Sequence, residues 1–233
     1  MLCINRPLSS VSSMQRKYTV IIGDVVGSSV IPDRVAFARV LAKACLRANT
    51  TFREDILARI ATTGIDTISG VLVSIANAYR IVSIILETIH PTLMRFAIVR
   101  APLDVGLRSR DARRMDGIAF HREADMILSD KKSANLVAFE LGDPIVDNLL
   151  NSHVNLVLSI KTAWTDRQFQ VVTMYKRLKS QQGVAKRLRV SQATVSEILN
   201  TADRHGVLDA ERVVNFTLAE YQARSGHEKH GSD

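Results

Sequence analysis

Two cysteines in 233 residues, Cys3 and Cys45, cannot build a disulfide framework or a zinc ligand set. Long apolar runs are also missing. The longest, Ile68 to Leu86, is broken by Asn77 and Arg80, whereas a spanning helix needs about 20 mostly apolar residues. Near the start, Asn5, Arg6 and Pro7 interrupt any apolar core before a signal peptide could form. No internal repeat or low-complexity tract occurs. These absences lead to the expectation of a cytoplasmic protein with reduced thiols and no membrane partner. Residues 1–16 read as a flexible tail, with Met14 as a candidate start, and residues 225–233 as a disordered end without an apolar anchor.

What is present is an apolar share of 46% and a formal net charge of +8, so a packed core and an acidic partner such as nucleic acid are expected. Tyr18 to Ile22 reads as a buried strand ending at Gly23-Asp24. Pro32-Asp33 opens a helix whose apolar face is Phe37, Val40, Leu41, Ala44 and Ala48. Two strands follow, Asp55 to Thr62 and Ile68 to Ile75, turning near Gly64. A helix from Asn77 to Ile89 carries Ile81, Ile84, Ile85 and Ile89 on one side, and His90-Pro91 stops it. Leu93 to Val99 is a strand, Gly117 to Ser129 a helix, and Asn135 to Phe139 a fifth strand. The order β-α-β-β-α-β plus a short α-β predicts an α/β (α+β) domain of split βαβ type over residues 17–142, with the first and third strands as neighbours. Beyond Gly142-Asp143-Pro144 the chain reads as helical. A connecting helix is expected over 143–164, with Val146, Leu149, Leu150, Val157, Ile160 and Trp164 on one face, then an all-α unit over 165–224.

Within that unit, Gln181 to Asn200 fits the pattern of a helix-turn-helix. Val184, Leu188, Val190, Val195 and Ile198 fall on the wedge positions, Ala185 falls where the helices touch, and Ser191 caps the second helix. One position departs: Arg189 stands where the turn favours Gly, which suggests a differently built turn. A preceding helix from Thr165 offers Phe169, Val172, Tyr175 and Leu178 for packing, and Asp209 to Arg224 reads as a dimer arm or lid. Between Lys161 and Thr201 there are eight basic residues against only Asp166 and Glu197. Lys186, Arg187 and Arg189 would hold phosphates of double-stranded DNA. Gln192, Ala193, Ser196 and Asn200 would face base edges, with Thr194 at the groove entrance. Because one such motif binds weakly, a homodimer is expected.

Asp24 after the first strand and Asp66 before the third could converge on one edge of the sheet, and paired carboxylates of this kind can hold Mg²⁺ for a nucleotide ligand. His121 is a further candidate for capping, phosphate binding or proton transfer. Tyr18 to Ser28, Gly64 to Leu72, Met94-Arg95-Phe96 and Asp116 to His121, with the C-terminal motif, together resemble the SatD family over nearly the full chain from Tyr18. That resemblance implies a palm-like N-terminal domain, similar in strand order to class III nucleotidyl cyclases, joined to a DNA-binding tail. It also marks departures. The family turn Gly-Asp-Glu-Phe-Gln-Gly is here Ile65-Asp66-Thr67-Ile68-Ser69-Gly70, and the glycines expected after Phe96 are absent. The sequence therefore favours a DNA-binding transcriptional regulator with a degenerate palm-like sensor or dimerisation domain. The alternative is a metal-dependent nucleotidyl-transfer or nucleotide-binding enzyme with an accessory helical tail.

Overall fold

A computed structural model describes residues 16–103, 112 and 135–227. The expected tail, the helix at 117–129 and the end beyond 227 lie outside these residues. The described chain is mixed α/β, with one five-stranded sheet and seven α-helices. Its strands are β1 (Lys17–Val25), β2 (Ile56–Thr62), β3 (Thr67–Leu72), β4 (Met94–Pro102) and β5 (Val137–Glu140). Its helices are α1 (Arg34–Thr51), α2 (Ala78–Ile89), α3 (Pro144–Thr162), α4 (Asp166–Leu178), α5 (Gln181–Leu188), α6 (Gln192–Thr201) and α7 (Arg204–His227).

The sheet runs β2-β3-β1-β4-β5. β1 pairs antiparallel with both β3 and β4, β2 with β3 likewise, and only the β4–β5 pair is parallel. Alternation along β1 sends Ile21 and Val25 into the main core, while Val20 joins a smaller cluster with Ala58, Val71 and Val99 on the other face. Against the main core pack α1 through Phe37, Leu41, Ala44, Cys45 and Ala48, and α2 through Ile81, Ile85 and Ile89. Val40, read as part of α1's inner face, is exposed, because Cys45 and not Val40 completes the stripe. Burial pushes the Cys45 thiol up to about 11, so it stays protonated and behaves as a small hydrophobe. Asp33 caps α1 by accepting a hydrogen bond from Ala36 N at 2.8 Å. Gly70 is a packing requirement: a Cβ there would lie 2.5 Å from Ile60 Cγ1 and 3.0 Å from Ile60 Cα, so β2 can bulge across β3 only over a bare backbone.

Both edge strands are held by asparagines on helices. Asn49 of α1 receives Ile60 N at 2.9 Å and donates to Ile60 O at 2.8 Å. On the far edge, Asp147, Asn151 and Asn155 stand at successive turns of α3 and meet the open side of β5. Asn155 Oδ1 accepts from Leu136 N (2.8 Å) and Val137 N (3.1 Å), and Asn151 Oδ1 accepts from Phe139 N (2.6 Å). Their amide groups donate to Val137 O (2.7 Å) and Phe139 O (3.1 Å), and Asp147 accepts from Leu141 N (2.8 Å). These side chains do for β5 what a sixth strand would do, and they leave no open edge there. The polar stripe also rotates α3. Leu150, Val154, Val157 and Leu158 are buried, while Leu149, expected on the inner face, is 65% exposed.

The last helix is not a free arm or lid. Val214 and Leu218 of α7 enter the main core, Tyr221 Oη donates to Leu141 O at 2.7 Å, and Gln222 Oε1 accepts from Ile75 N at 3.1 Å. One turn earlier, Glu211 lies in a buried charge cluster. Lys161 of α3 meets its Oε1 at 2.8 Å, and Lys176 of α4 meets its Oε2 at 3.0 Å. Tyr79 of α2 donates to Oε1 at 3.2 Å, and Lys176 also pairs with Glu87 at 2.8 Å. Burial alone would raise the Glu211 carboxyl, but the two lysines outweigh it and hold it at about 2. Burial likewise disfavours charge on Lys176, yet Glu211 and then Glu87 raise its pKa.

A carboxyl held below its unfolded value adds stability that is fully present above about pH 5 and lost as pH falls toward 2. Glu211→Gln is expected to lower the unfolding free energy by about 3 kcal/mol at pH 7, because it leaves two buried ammonium groups short of a partner. Urea titrations of both proteins at several pH values check this. The gap should narrow between about pH 5 and 2, where the unfolded carboxyl takes up a proton and the native one resists it, and a gap constant across that range would mean that Glu211 acts by shape and not by charge.

Candidate nucleic-acid interface

α4, α5 and α6 form a small unit with its own core. Val171, Val172, Val184, Ala185, Val195, Leu199 and Ala202 are buried together, and Trp164, Tyr175, Leu188, Val190 and Ile198 pack around them. Every wedge residue read from the sequence lies in this cluster. Leu199, not singled out, is fully buried where Ile198 is only partly so. On α4 the inner residues are Val171 and Val172. Leu178 is exposed, and Phe169 turns away to stack on His90, with ring centroids 3.6 Å apart. Trp164 Nε1 donates to Ala202 O at 2.9 Å and so ties the entry of the unit to its exit.

Each helix starts on a satisfied cap. Thr165 and Gln168 form a reciprocal capping box on α4, Ser180 accepts from Gly183 N on α5, and Ser191 accepts from Thr194 N at 3.0 Å on α6. Arg189 adopts the left-handed conformation, φ 54° and ψ 47°, at the end of α5. The expectation of a differently built turn is thus corrected. Arg189 takes the backbone shape that Gly would supply, at about 1 kcal/mol, and Val190 N closes the turn on Ala185 O at 3.1 Å.

This geometry sorts the candidate contact residues. Lys186, Arg187 and Arg189 are exposed around the end of α5. Ser191, Gln192, Ala193 and Thr194 are exposed over the first turn of α6, and Asn200 at its end, while Val195 and Leu199 point inward. Ser196 is half-buried, so it is the least available of the set. The Thr194 hydroxyl is shared with Ser191 at 2.8 Å, and Gln192 Nε2 reaches Gln181 Oε1 at 3.5 Å, a contact too long to hold it.

The second candidate site lies at one end of the sheet. Asp24 stands opposite Thr67 in the β1–β3 register, and Val25 N donates to Asp66 O at 2.9 Å, so Asp24 on β1 lies beside the turn residue Asp66, one position before β3. Asp66 is held below its ordinary value, first by the Ser28 hydroxyl, against the opposing effect of burial, then by its own backbone amide, the Thr67 hydroxyl and lastly the charge of Arg34. On the other side Asp24 is the register partner of Arg95. Among the described residues, no three acidic, histidine or cysteine side chains come together in a metal-binding group. Asp116 to His121 lies outside the described residues.

The chain belongs to the SatD family, whose family model matches residues 18–206. No curated protein matches it. Among the described residues, no helix is long and apolar enough to cross a membrane.

The α5–α6 turn makes a direct test. Ser191→Ala should cost about 1 kcal/mol through the lost cap. Arg189→Gly should be tolerated, whereas Arg189→Val should cost about 1–2 kcal/mol, because a β-branched residue resists positive φ. Thermal or urea unfolding checks all three, and equal tolerance of Gly and Val would rule out the left-handed turn.

Proposed function

We propose that the chain is a sequence-specific DNA-binding transcriptional regulator, in which Gln181–Asn200 is a helix-turn-helix and α6 its recognition helix. One observation carries this reading. α6 buries Val195 and Leu199 and presents Gln192, Ala193, Thr194 and Asn200 to solvent, beside the exposed cations Lys186, Arg187 and Arg189. Amide side chains can meet adenine in pairs of hydrogen bonds, and the Ala193 methyl can meet a thymine methyl. The three cations neutralise phosphates and fix the register. Glu197, the one acid on α6, sits among the outward residues, where it can accept from cytosine or reject a phosphate.

The sheet domain, residues 17–142 in this reading, is a palm-like split βαβ unit that senses or dimerises. Asp24 and Asp66 lie near each other at one end of the sheet, but the charge of Arg34 acts on Asp66 and Arg95 is the register partner of Asp24, which weakens their case for Mg²⁺ or a nucleotide. A homodimer fits the need of such readers for two half-sites. It also fits α3, where Ile145, Leu149 and Leu156 form an exposed apolar stripe opposite the buried face.

In binding titrations on a genomic fragment against random duplex, Arg187→Ala should weaken binding to every sequence and reduce the salt slope by about 1. Gln192→Ala and Asn200→Ala should instead relax preference at single base pairs, by about 1–3 kcal/mol. If all three variants behave alike, α6 is not the recognition helix. In sedimentation, Leu149→Glu with Leu156→Glu should turn a dimer into a monomer, and an unchanged mass would remove α3 from the interface.

A further inference from the structure

Between α2 on the sheet side and α4 and α7 on the helical side lies a cavity of about 610 Å³, within the range of small-molecule sites (about 300–1,000 Å³). Its wall is unequally charged. Its two acids, Glu87 and Glu211, are already paired with Lys176 and Lys161, while Arg80, Arg177, Lys179 and Arg204 also line it. The cavity therefore offers an anion a set of cations whose opposite charges are spent elsewhere.

Three residues that line it carry a buried polar atom with no hydrogen bond among the described residues. Arg204 Nε is a donor, Asn215 Oδ1 an acceptor, and Ser83 Oγ can act as either. Arg204 is 8% exposed, its guanidinium lies 4.7 Å over the Tyr175 ring, and its Nη2 meets His205 Nε2. The ring and the histidine hold the guanidinium in place yet supply no anion. Asn215 is fixed through its other end, since Nδ2 donates to Glu211 O at 2.7 Å, which leaves Oδ1 as the free group. Buried groups of this kind ordinarily have partners, and leaving such a hydrogen bond unmade is costly. Here a donor that wants an anion, an acceptor that wants a hydroxyl or amine, and a hydroxyl that can serve as either belong to residues lining the same space.

We infer that this cavity is a binding site for a small hydroxylated organic anion, whose phosphate or carboxylate meets Arg204 and the neighbouring cations and whose hydroxyl donates to Asn215 Oδ1. A guanidinium fork matches either anion in a bidentate way. The site is separate from the Asp24–Asp66 edge of the sheet, and its occupancy does not depend on whether α6 reads DNA.

Calorimetric titration of the full chain at low salt, without DNA, tests the assignment with four probes: ribose 5-phosphate, citrate, ribose and inorganic phosphate. Either ribose 5-phosphate or citrate should bind at least tenfold more tightly than both ribose and inorganic phosphate, and which of the two does so decides between phosphate and carboxylate. Arg204→Gln should weaken that binding at least tenfold. Because Arg204 is buried, the exposed Arg80→Gln and the half-buried Asn215→Ala serve as companion variants, each expected to weaken binding severalfold in a chain that melts like the parent. Absence of binding by both organic anions would overturn the proposal. So would affinity for inorganic phosphate equal to that for ribose 5-phosphate, or binding that survives Arg80→Gln and Asn215→Ala unchanged.

Discussion

A carboxylate taken out of water between two ammonium groups is stable only while all three stay in place, because removing any one leaves a buried charge uncompensated. Glu211 imposes that condition on four helices at once. Lys161 belongs to α3, Lys176 to α4, Tyr79 to α2 and Glu211 itself to α7. Apolar contacts between the same helices could slide by a fraction of a turn at modest cost. The charge cluster cannot, since its 2.8–3.0 Å contacts fix distance and direction together. What it specifies is where the helical unit stands against the sheet.

α3 has the complementary task of joining the two halves while closing the sheet. Its polar stripe of Asp147, Asn151 and Asn155 is committed to β5, its buried stripe to the core and α7, and Lys161 near its end to Glu211. A helix so committed on three sides cannot rotate, so the strand edge and the charge cluster are set in mutual register. The remaining side is the one carrying Ile145, Leu149 and Leu156.

The sequence was informative where the physics is local. Strand and helix positions follow from alternation and three-to-four spacing, and the α6 cap follows from Ser191 alone. Most of the exposed face of α6 was equally legible, because inward and outward residues of a short helix are fixed once its start is known. Misses came where tertiary demands override periodicity. Leu149 looks apolar and inward, but the asparagines beside it must reach β5, and that rotates it out. Arg189 looked unfit for a left-handed turn, yet packing of Val184 and Val195 forces that shape on it. Phe169 has a partner 79 positions earlier in the chain, His90, which no window on α4 contains. The Glu211 cluster was invisible for the same reason. Its members are spread from Tyr79 to Glu211, and each alone reads as an ordinary surface charge or a core aromatic.

The placement of α4 has a mechanical consequence. Val171 and Val172 lie in the core beneath α5 and α6, Tyr175 and Lys176 line the cavity, and Phe169 stacks on His90 just beyond α2. α4 ends at Lys179 in the left-handed conformation, and the next residue, Ser180, caps α5, so no slack separates the two helices. A ligand drawing Arg204 or Lys179 inward would act on α4 and the start of α7 together, and α5 and α6 are held between those two elements. Any coupling between the cavity and the exposed face of α6 must therefore displace α4 as a rigid rod, against the restraint of Glu211. The charge cluster is thus also the element whose strength limits how far the exposed face of α6 can move.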